Sequence, residues 1–525
     1  MTPRSCAALG LVVVGLFMTI AGWSPAAAGS TAPTPAPTST AQPTVAVEIV
    51  KITPQVLDVT SDEHVTVVAR ITNLSPTTIT SGQATLSLAA RNMRTRTEVD
   101  GWAAGTLDLK AQSLARADLT GPLAPGTSVD VTLTVDRTAR QMLDDGTLVN
   151  EWGPRGLVVE VKAGTTAKAR TFLLVKSNQN IPQAPVALLA TLTGPATAPT
   201  LPEVGARTTP TPDAATRHRV EAVTAAVASS PPVGLALDPA LETDDSAATL
   251  AGILDSQREV LTLPWGDPDL QALAQTQTWD LLTRARQLAA AEPDGGVVWS
   301  VDPVDEETVA AVSATGATWM IAPSSSTRTL TQAATPDGDL TVVSPDQTVS
   351  RLFDGSSDLS SAQAQQQALA LLATAARGQG NRSDPEPVLV VTGRDWKADL
   401  DWTQGFVTAL GNAPWVRLTT TTDLMVGADD LPPAATDATR SPDGGLGALD
   451  ADRQDLAKFA TVTESPALVT GGVDQATLLV SAYAWRSDPG GRSAAVTALE
   501  KAIAQRRNAL YLTKRTDLTL ITKKG

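Results

Sequence analysis

Val233-Gly-Leu-Ala-Leu-Asp-Pro239 is an apolar run with no polar face, closed by an Asp-Pro pair, and it follows a helix-forming stretch from Ala214 to Ala228. A strand that is apolar on both faces must be covered on both sides, as strands of parallel α/β sheets are. The same unit repeats along the chain. Upstream lies Val186-Ala-Leu-Leu-Ala-Thr-Leu192; downstream come Glu259–Leu263, Val297–Val301, Thr318–Ala322, Leu340–Val343, Val388–Val391 and Trp415–Leu418. Helix-forming stretches at Pro268–Ala291, Asp305–Thr315, Ser361–Arg377 and Leu400–Leu410 alternate with these runs. Strand-helix alternation implies parallel strands joined by right-handed crossovers. Eight strands suffice to close a (β/α) barrel-like domain over residues 185–430, with an open doubly wound sheet as the alternative.

Outward from this domain the pattern changes. Across residues 45–180 the hydrophobic period falls to two: in His64–Asn73, Val65, Val67, Ala69 and Ile71 share one face while Thr66, Arg70 and Thr72 share the other. The alternation recurs at Thr85–Leu88, Val131–Val135, Leu157–Val161 and Thr171–Val175, with Leu123-Ala-Pro-Gly126 as a turn. Short alternating strands separated by turns predict an immunoglobulin-like β-sandwich. Residues 29–44 carry four prolines and no core-forming side chain, which makes a Pro/Thr-rich extended linker. On the other flank, 431–447 is a loop rich in Pro, Asp and Gly. Residues 448–525 then read as a helical segment that ends in two short strands across 509–522. The fold class is thus multidomain α+β: sandwich, barrel-like α/β domain, helical segment.

The first 28 residues have the form of a secretory signal peptide: Arg4, an apolar run from Cys6 to Ala21, and Ser24-Pro-Ala-Ala-Ala28 as a small-residue cleavage site. The run is shorter than the ~20 residues that span a bilayer. Cleavage would leave 497 residues and remove Cys6, the single cysteine. The exported chain then has no thiol for catalysis, metal binding or a disulfide. The net charge of -15 opposes nucleic acid and anionic lipid as partners. After signal removal no remaining stretch is long and apolar enough to span a membrane, so the expectation is a secreted, extracytoplasmic protein of the cell envelope.

In a parallel α/β sheet, ligands bind beyond the carboxyl ends of the strands. Five of those ends place acids there: Asp238-Pro239, the stretch Pro264-Trp265-Gly266-Asp267-Pro268-Asp269, Asp302-Pro303, Ser344-Pro345-Asp346, and Thr392-Gly-Arg-Asp395-Trp396. Paired carboxylates cleave glycosidic bonds, and Trp265 or Trp396 could stack on a sugar ring. Each Asp-Pro also reads as a helix start, with Asp as N-cap and Pro in the first turn, and Asp238, Asp267 and Asp302 fit that structural role. The candidate rim is therefore Asp238, Trp265, Asp267, Asp269, Asp302, Asp346, Asp395 and Trp396, with no residue assigned to catalysis and no cofactor implied. Metal chemistry has little to work with. The two histidines, His64 and His218, are far apart in sequence, and Asp144-Asp145, Asp244-Asp245 and Asp429-Asp430 lack calcium-loop spacing. There is no Gly-x-Ser-x-Gly elbow, phosphate loop or dinucleotide fingerprint.

Several short stretches carry a resemblance: Ile52-Thr-Pro-Gln-Val-Leu57, Ala236-Leu-Asp-Pro-Ala-Leu241, Leu263-Pro-Trp-Gly-Asp-Pro-Asp-Leu270, Asn412-Ala-Pro-Trp415 and Ala484-Trp-Arg486. On these the chain resembles an uncharacterised family of actinobacterial exported proteins, often encoded beside the MurJ-type flippase of lipid-linked peptidoglycan precursors. The resemblance implies a barrel distantly similar to polysaccharide deacetylases and family-57-type glycoside hydrolases, followed by helices, a second β domain and a membrane helix. This sequence stops where that β domain would begin, and it lacks the deacetylase triad of one Asp and two His. The resulting expectation is an envelope accessory protein that binds cell-wall glycan or an envelope protein without hydrolysing it. The rivals are a hydrolase using two of Asp238, Asp267, Asp269 and Asp302, and a structural spacer.

Overall fold

The computed structural model describes residues 44–136, 151–177, 179–201, 212–244, 246–254, 256–289, 297–326, 328–336, 338–378, 384–426, 431–436 and 444–523, with side chains to 508. The segment read as a signal peptide, nearly all of the linker, Asp144-Asp145, Asp245, Asp429-Asp430 and much of the 431–447 loop lie outside the described residues.

Period-two patterning in the N-terminal part produces two sheets on one core. Strands β1 (Val45–Thr53), β3 (Thr66–Asn73) and β6 (Ser128–Thr134) form an antiparallel sheet in the order β1-β3-β6. Strands β2 (Val56–Asp58), β4 (Gln83–Asn92), β5 (Ala111–Asp118), β7 (Gly153–Ala163) and β8 (Thr165–Lys176) form the second, ordered β2-β8-β7-β4-β5. Val67, Ala69 and Ile71 of β3 meet Leu86 of β4 and Val159 of β7 in one buried cluster, as the alternation requires. A helix, Arg96–Ala104, interrupts these strands. Its signal was local: Thr95 and Glu98 form a reciprocal capping box, and Gly105 closes it at φ 74°.

From Ala184 onward the strands are short and mostly parallel. One curved sheet contains β9 (Ala184–Leu192), β10 (Val233–Leu237), β11 (Val260–Thr262), β16 (Val388–Val391) and β17 (Val416–Thr419). The other contains β12 (Val298–Trp299), β13 (Trp319–Ile321), β14 (Leu330–Thr335) and β15 (Gly338–Val343), in the order β12-β13-β15-β14. Backbone hydrogen bonds join the two sheets. Val297 N donates to Thr262 O at 2.7 Å on one side, and Asp346 N to Leu389 O at 2.8 Å on the other. One buried cluster collects Leu189, Ala236, Leu261, Trp299, Ile321, Val343 and Leu389, one residue from each of seven strands. The alternate residues of β9 and β10, such as Leu188 and Leu235, face outward into a second cluster under helices Ala214–Ala228, Ser361–Ala376 and Leu400–Asn412.

Three readings of the sequence are adjusted. Pro268–Ala291 is two helices, Leu270–Gln275 and Trp279–Ala289, because the chain turns at Gln277, whose φ is 57°. The unpredicted β14 pairs antiparallel with β15. Residues 509–522, expected as strands, continue the helix Pro489–Lys523. Extending an existing helix avoids the nucleation cost that an isolated segment meets, and this outweighs a weak alternation.

The parts are not separate bodies. Trp152 of the sandwich stacks on Trp415 of the α/β domain with ring centroids 6.0 Å apart, and the Arg377 guanidinium lies 3.9 Å from the Trp152 ring centroid. Gln363 ties both sheets of the sandwich to helix Ser361–Ala376, accepting from Ile49 N at 3.2 Å and donating to Arg170 O at 3.1 Å. The C-terminal helices Leu446–Ala460 and Val473–Ser481 share a core with helix Trp279–Ala289 and with Met320 of β13. That packing carries the 3₁₀ turn Tyr483–Ser487 to the strand ends.

Candidate functional site

The loop after β10 begins with Asp238, which caps the 3₁₀ turn Pro239–Leu241. Its carboxylate accepts from Ala240 N at 2.9 Å, Gly266 N at 2.8 Å and Gly194 N at 3.4 Å, and the residue is 1% exposed. Burial outweighs these bonds, and with the nearby charge of Asp267 it pushes the carboxyl up to about 7.

The loop after β11 turns sharply at Gly266 (φ 81°) and Asp267 (φ 43°). A non-glycine residue in the left-handed region is strained, so something must hold it there. Arg394 does so: its Nε and Nη2 donate to the two oxygens of Asp267 at 2.6 and 2.8 Å. Two residues on, Asp269 caps helix Leu270–Gln275 through Ala272 N at 3.2 Å and receives a second fork, Arg486 Nε and Nη2, both at 2.7 Å. Arg486 also pairs with Asp302 and donates to Gln271 at 3.1 Å. Asp302 was expected to start a helix. The helix Glu306–Ala314 begins later and is capped by Asp305, which leaves Asp302 to the arginine. Both guanidiniums lie against one ring, Arg394 at 5.1 Å and Arg486 at 4.8 Å from the Tyr483 centroid. The carboxylates around Arg486 hold it more firmly protonated than a free arginine.

Asp238, Asp267, Asp269 and Asp302 are thus brought to one rim, stitched by Arg394, Arg486 and Tyr483. Arg219 from helix Ala214–Ala228 joins them, donating to Arg394 O at 2.7 Å and feeling the charges of Asp395, Asp267 and Asp238. Asp395 is exposed at the edge of this group. Asp346 is elsewhere: it caps helix Gln347–Phe353 and pairs with Arg96 of the sandwich. Trp265 and Trp396 are 7% and 4% exposed, and Trp396 packs on Phe353 at 6.3 Å. Neither presents a ring face to a sugar.

The arginines and Tyr483 are what sequence reasoning misses, although Arg394 directly precedes Asp395 and Arg486 directly follows Trp485. An arginine placed in a strand-end loop among acids was the available signal. Beside Asp238 a cavity of about 290 Å³ opens, lined by Gly194, Thr197, Asp213, Thr216, Gly266 and Leu479 among others. That is the lower end of the size of small-molecule pockets. Among the described residues no group of three His, Cys, Asp or Glu could hold a metal ion, and no helix is long and apolar enough to cross a membrane. His64 meets Val135 O in the sandwich at 3.0 Å, and His218 is exposed.

This geometry can hold a ligand more readily than it can move protons. A carboxylate held by a bidentate guanidinium is committed to that ion pair and is less free to reach a substrate.

The whole chain, residues 1–525, matches a family of unknown function, DUF6049, and the protein belongs to that family. Among solved structures it is similar to an α-amylase, AmyC, from Thermotoga maritima, at 8% identity over 63% of this chain and 94% of that one, with a TM-score of 0.46. It is also similar to a CARDB domain from Pyrococcus furiosus, solved with di-metal ions, at 10% identity over 25% of this chain and 86% of that one, TM-score 0.15. Nothing matches among curated proteins.

Proposed function

Because its family passes on no activity, we propose from the site itself that this protein is an exported cell-envelope accessory protein that binds glycan at the strand-end rim without cleaving it. The observation carrying this reading is the neutralisation of the rim acids. Asp267 and Asp269 are each held by a bidentate arginine, and Asp302 shares one of them. A glycosidase needs one carboxyl free to give up a proton and another free to attack or activate water. The rim instead offers a rigid, polar wall beside a small cavity. The signal-peptide pattern of residues 1–28 supports export. An immunoglobulin-like class for the sandwich, a barrel class for the α/β domain and a link to peptidoglycan assembly belong to the same reading.

Asp238 favours the alternative, a glycan hydrolase, since a carboxyl pushed up to about 7 is the state a general acid requires. Its burial and its three N-H partners weigh against that role.

The test is calorimetric titration of the purified chain with peptidoglycan fragments and other glycans, with product release followed in the same samples. Ala198, exposed at the cavity mouth, allows the site to be plugged without disturbing the core. Saturable binding without product, weakened at least tenfold by Ala198→Trp, is the expected result. No binding by any glycan, or binding indifferent to the plug, refutes the reading.

A further inference from the structure

A second cavity lies where the sandwich meets the α/β domain, and it shares no lining residue with the cavity beside Asp238. It measures about 250 Å³, and its lining includes Arg96, Ser324, Ser326, Arg328, Ser344 and the acid Asp346. Arg96 opens the helix of the sandwich; Ser324, Ser326 and Arg328 lie between β13 and β14, and Ser344 and Asp346 lie between β15 and helix Gln347–Phe353.

Its hydrogen-bonding capacity is lopsided. Ser324 Oγ already accepts from Ser326 N at 3.0 Å, and Ser326 Oγ from Arg328 N at 3.1 Å, which leaves each hydroxyl its proton to give. Ser344 is 5% exposed and lines the cavity, yet its hydroxyl has no partner. An unpaired hydroxyl that lines a cavity has a proton to give to an occupant. The two carboxylates, by contrast, are each paired with one of these arginines. Asp346 takes two bonds from Arg96 and one each from Thr348 N and Val349 N, at 3.1 and 3.0 Å. Glu386 faces Arg328 Nε at 2.9 Å. A cation finds no free carboxylate here, and a neutral sugar finds few acceptors for its own hydroxyls. An acceptor-only group meets three serine hydroxyls and the part of the Arg328 guanidinium that Glu386 does not face, while Arg96 is already committed to Asp346.

We propose that this seam cavity is a ligand site for a small oxyanion, the carboxylate or phosphoryl group of a soluble molecule, bound by Ser344, Arg328 and the hydroxyls of Ser324 and Ser326. Arg96 reaches the same cavity from the sandwich, so an occupant touches both parts of the protein and tightens their docking. The site is independent of the rim and of any glycan bound there.

The experiment is isothermal titration of the full chain with inorganic phosphate, with glucuronate and with glucose, at constant ionic strength. Wild type, Ser344→Ala, Arg328→Gln and Ala198→Trp are compared, each checked for native circular dichroism. One saturable site for phosphate or glucuronate is expected, weakened at least tenfold by Ser344→Ala and by Arg328→Gln and unchanged by Ala198→Trp. Phosphate alone identifies a phosphoryl ligand, glucuronate alone a carboxylate, and either outcome supports the site. If Arg328→Gln does not fold, Ser326→Ala takes its place with the same expectation. Absence of saturable heat with both anions, binding equal in the cavity variants and wild type, or glucose binding as tightly as the anions overturns the proposal. Because Ala198→Trp acts only at the rim, failure here leaves the rim reading standing, and the reverse holds too.

Discussion

Asp238 and Arg486 show how single residues set the chemistry of the rim. In the unfolded chain the Asp238 carboxyl titrates near 3.8; in the folded protein it is pushed up to about 7, mainly by burial. Between those values the native state holds a proton that the unfolded state has released. This contribution to stability is therefore fully present below about pH 4 and lost as pH rises through 7, on the order of a few kcal/mol in total. Asp238→Asn keeps an oxygen for Ala240 N and Gly266 N but cannot ionise. Urea titrations at pH 4.5 and 7.5 should show the variant gaining on wild type at the higher pH; equal differences at both values would disprove the assignment. Arg486 works the other way. Its removal in Arg486→Met takes the bidentate fork from Asp269, which is 1% exposed and keeps the more distant Arg492 cation at 4.0 Å, and takes the same arginine from the partly buried Asp302. Loss of one partner from a buried pair costs about 3–5 kcal/mol, read as a lowered urea midpoint. A change within experimental error would mean that the fork is not what holds this rim.

Elements were legible where a signal was local and repeated. Helix Ala214–Ala228 and strand Val388–Val391 were read to the residue, the first framed by its Asp213 cap, the second by an unbroken apolar run. Helix Arg96–Ala104 was missed, since one turn of capping chemistry between alternating strands is easily read as loop. What fixes that helix is also a matter of fit. Its Trp102 ring lies over Gly156 of β7, where an added Cβ would sit 2.4 Å from the indole, and Trp102 Nε1 donates to Thr171 O at 2.9 Å. Gly156→Ala forces the ring or the strand to shift, costing about 1–3 kcal/mol, with a matching fall in thermal midpoint. A neutral outcome would show that the indole can move aside. At the rim, the acids were visible because each follows its own strand. Their partners were not, because Arg486 stands 217 positions from Asp269 and only the packing of the C-terminal helices brings them together.

At the scale of the whole molecule, boundaries drawn from composition separate segments that share cores. Met93, Trp102, Trp152 and Phe172 of the sandwich lie in one buried cluster with Leu369 and Trp415 of the α/β domain, and the C-terminal helices share another with Leu282 and Met320. The sandwich, the α/β domain and the C-terminal helices should therefore unfold together: far-ultraviolet circular dichroism and tryptophan fluorescence should give coincident urea transitions. Two separated transitions would contradict a shared core. The most direct measurement concerns the rim itself: release of reducing ends from peptidoglycan fragments by wild type, compared with Asp267→Asn. Neither protein should release any while the wild type binds the fragments. Release by wild type that disappears in a folded Asp267→Asn protein would make the rim a catalytic centre, and the binding-only reading false.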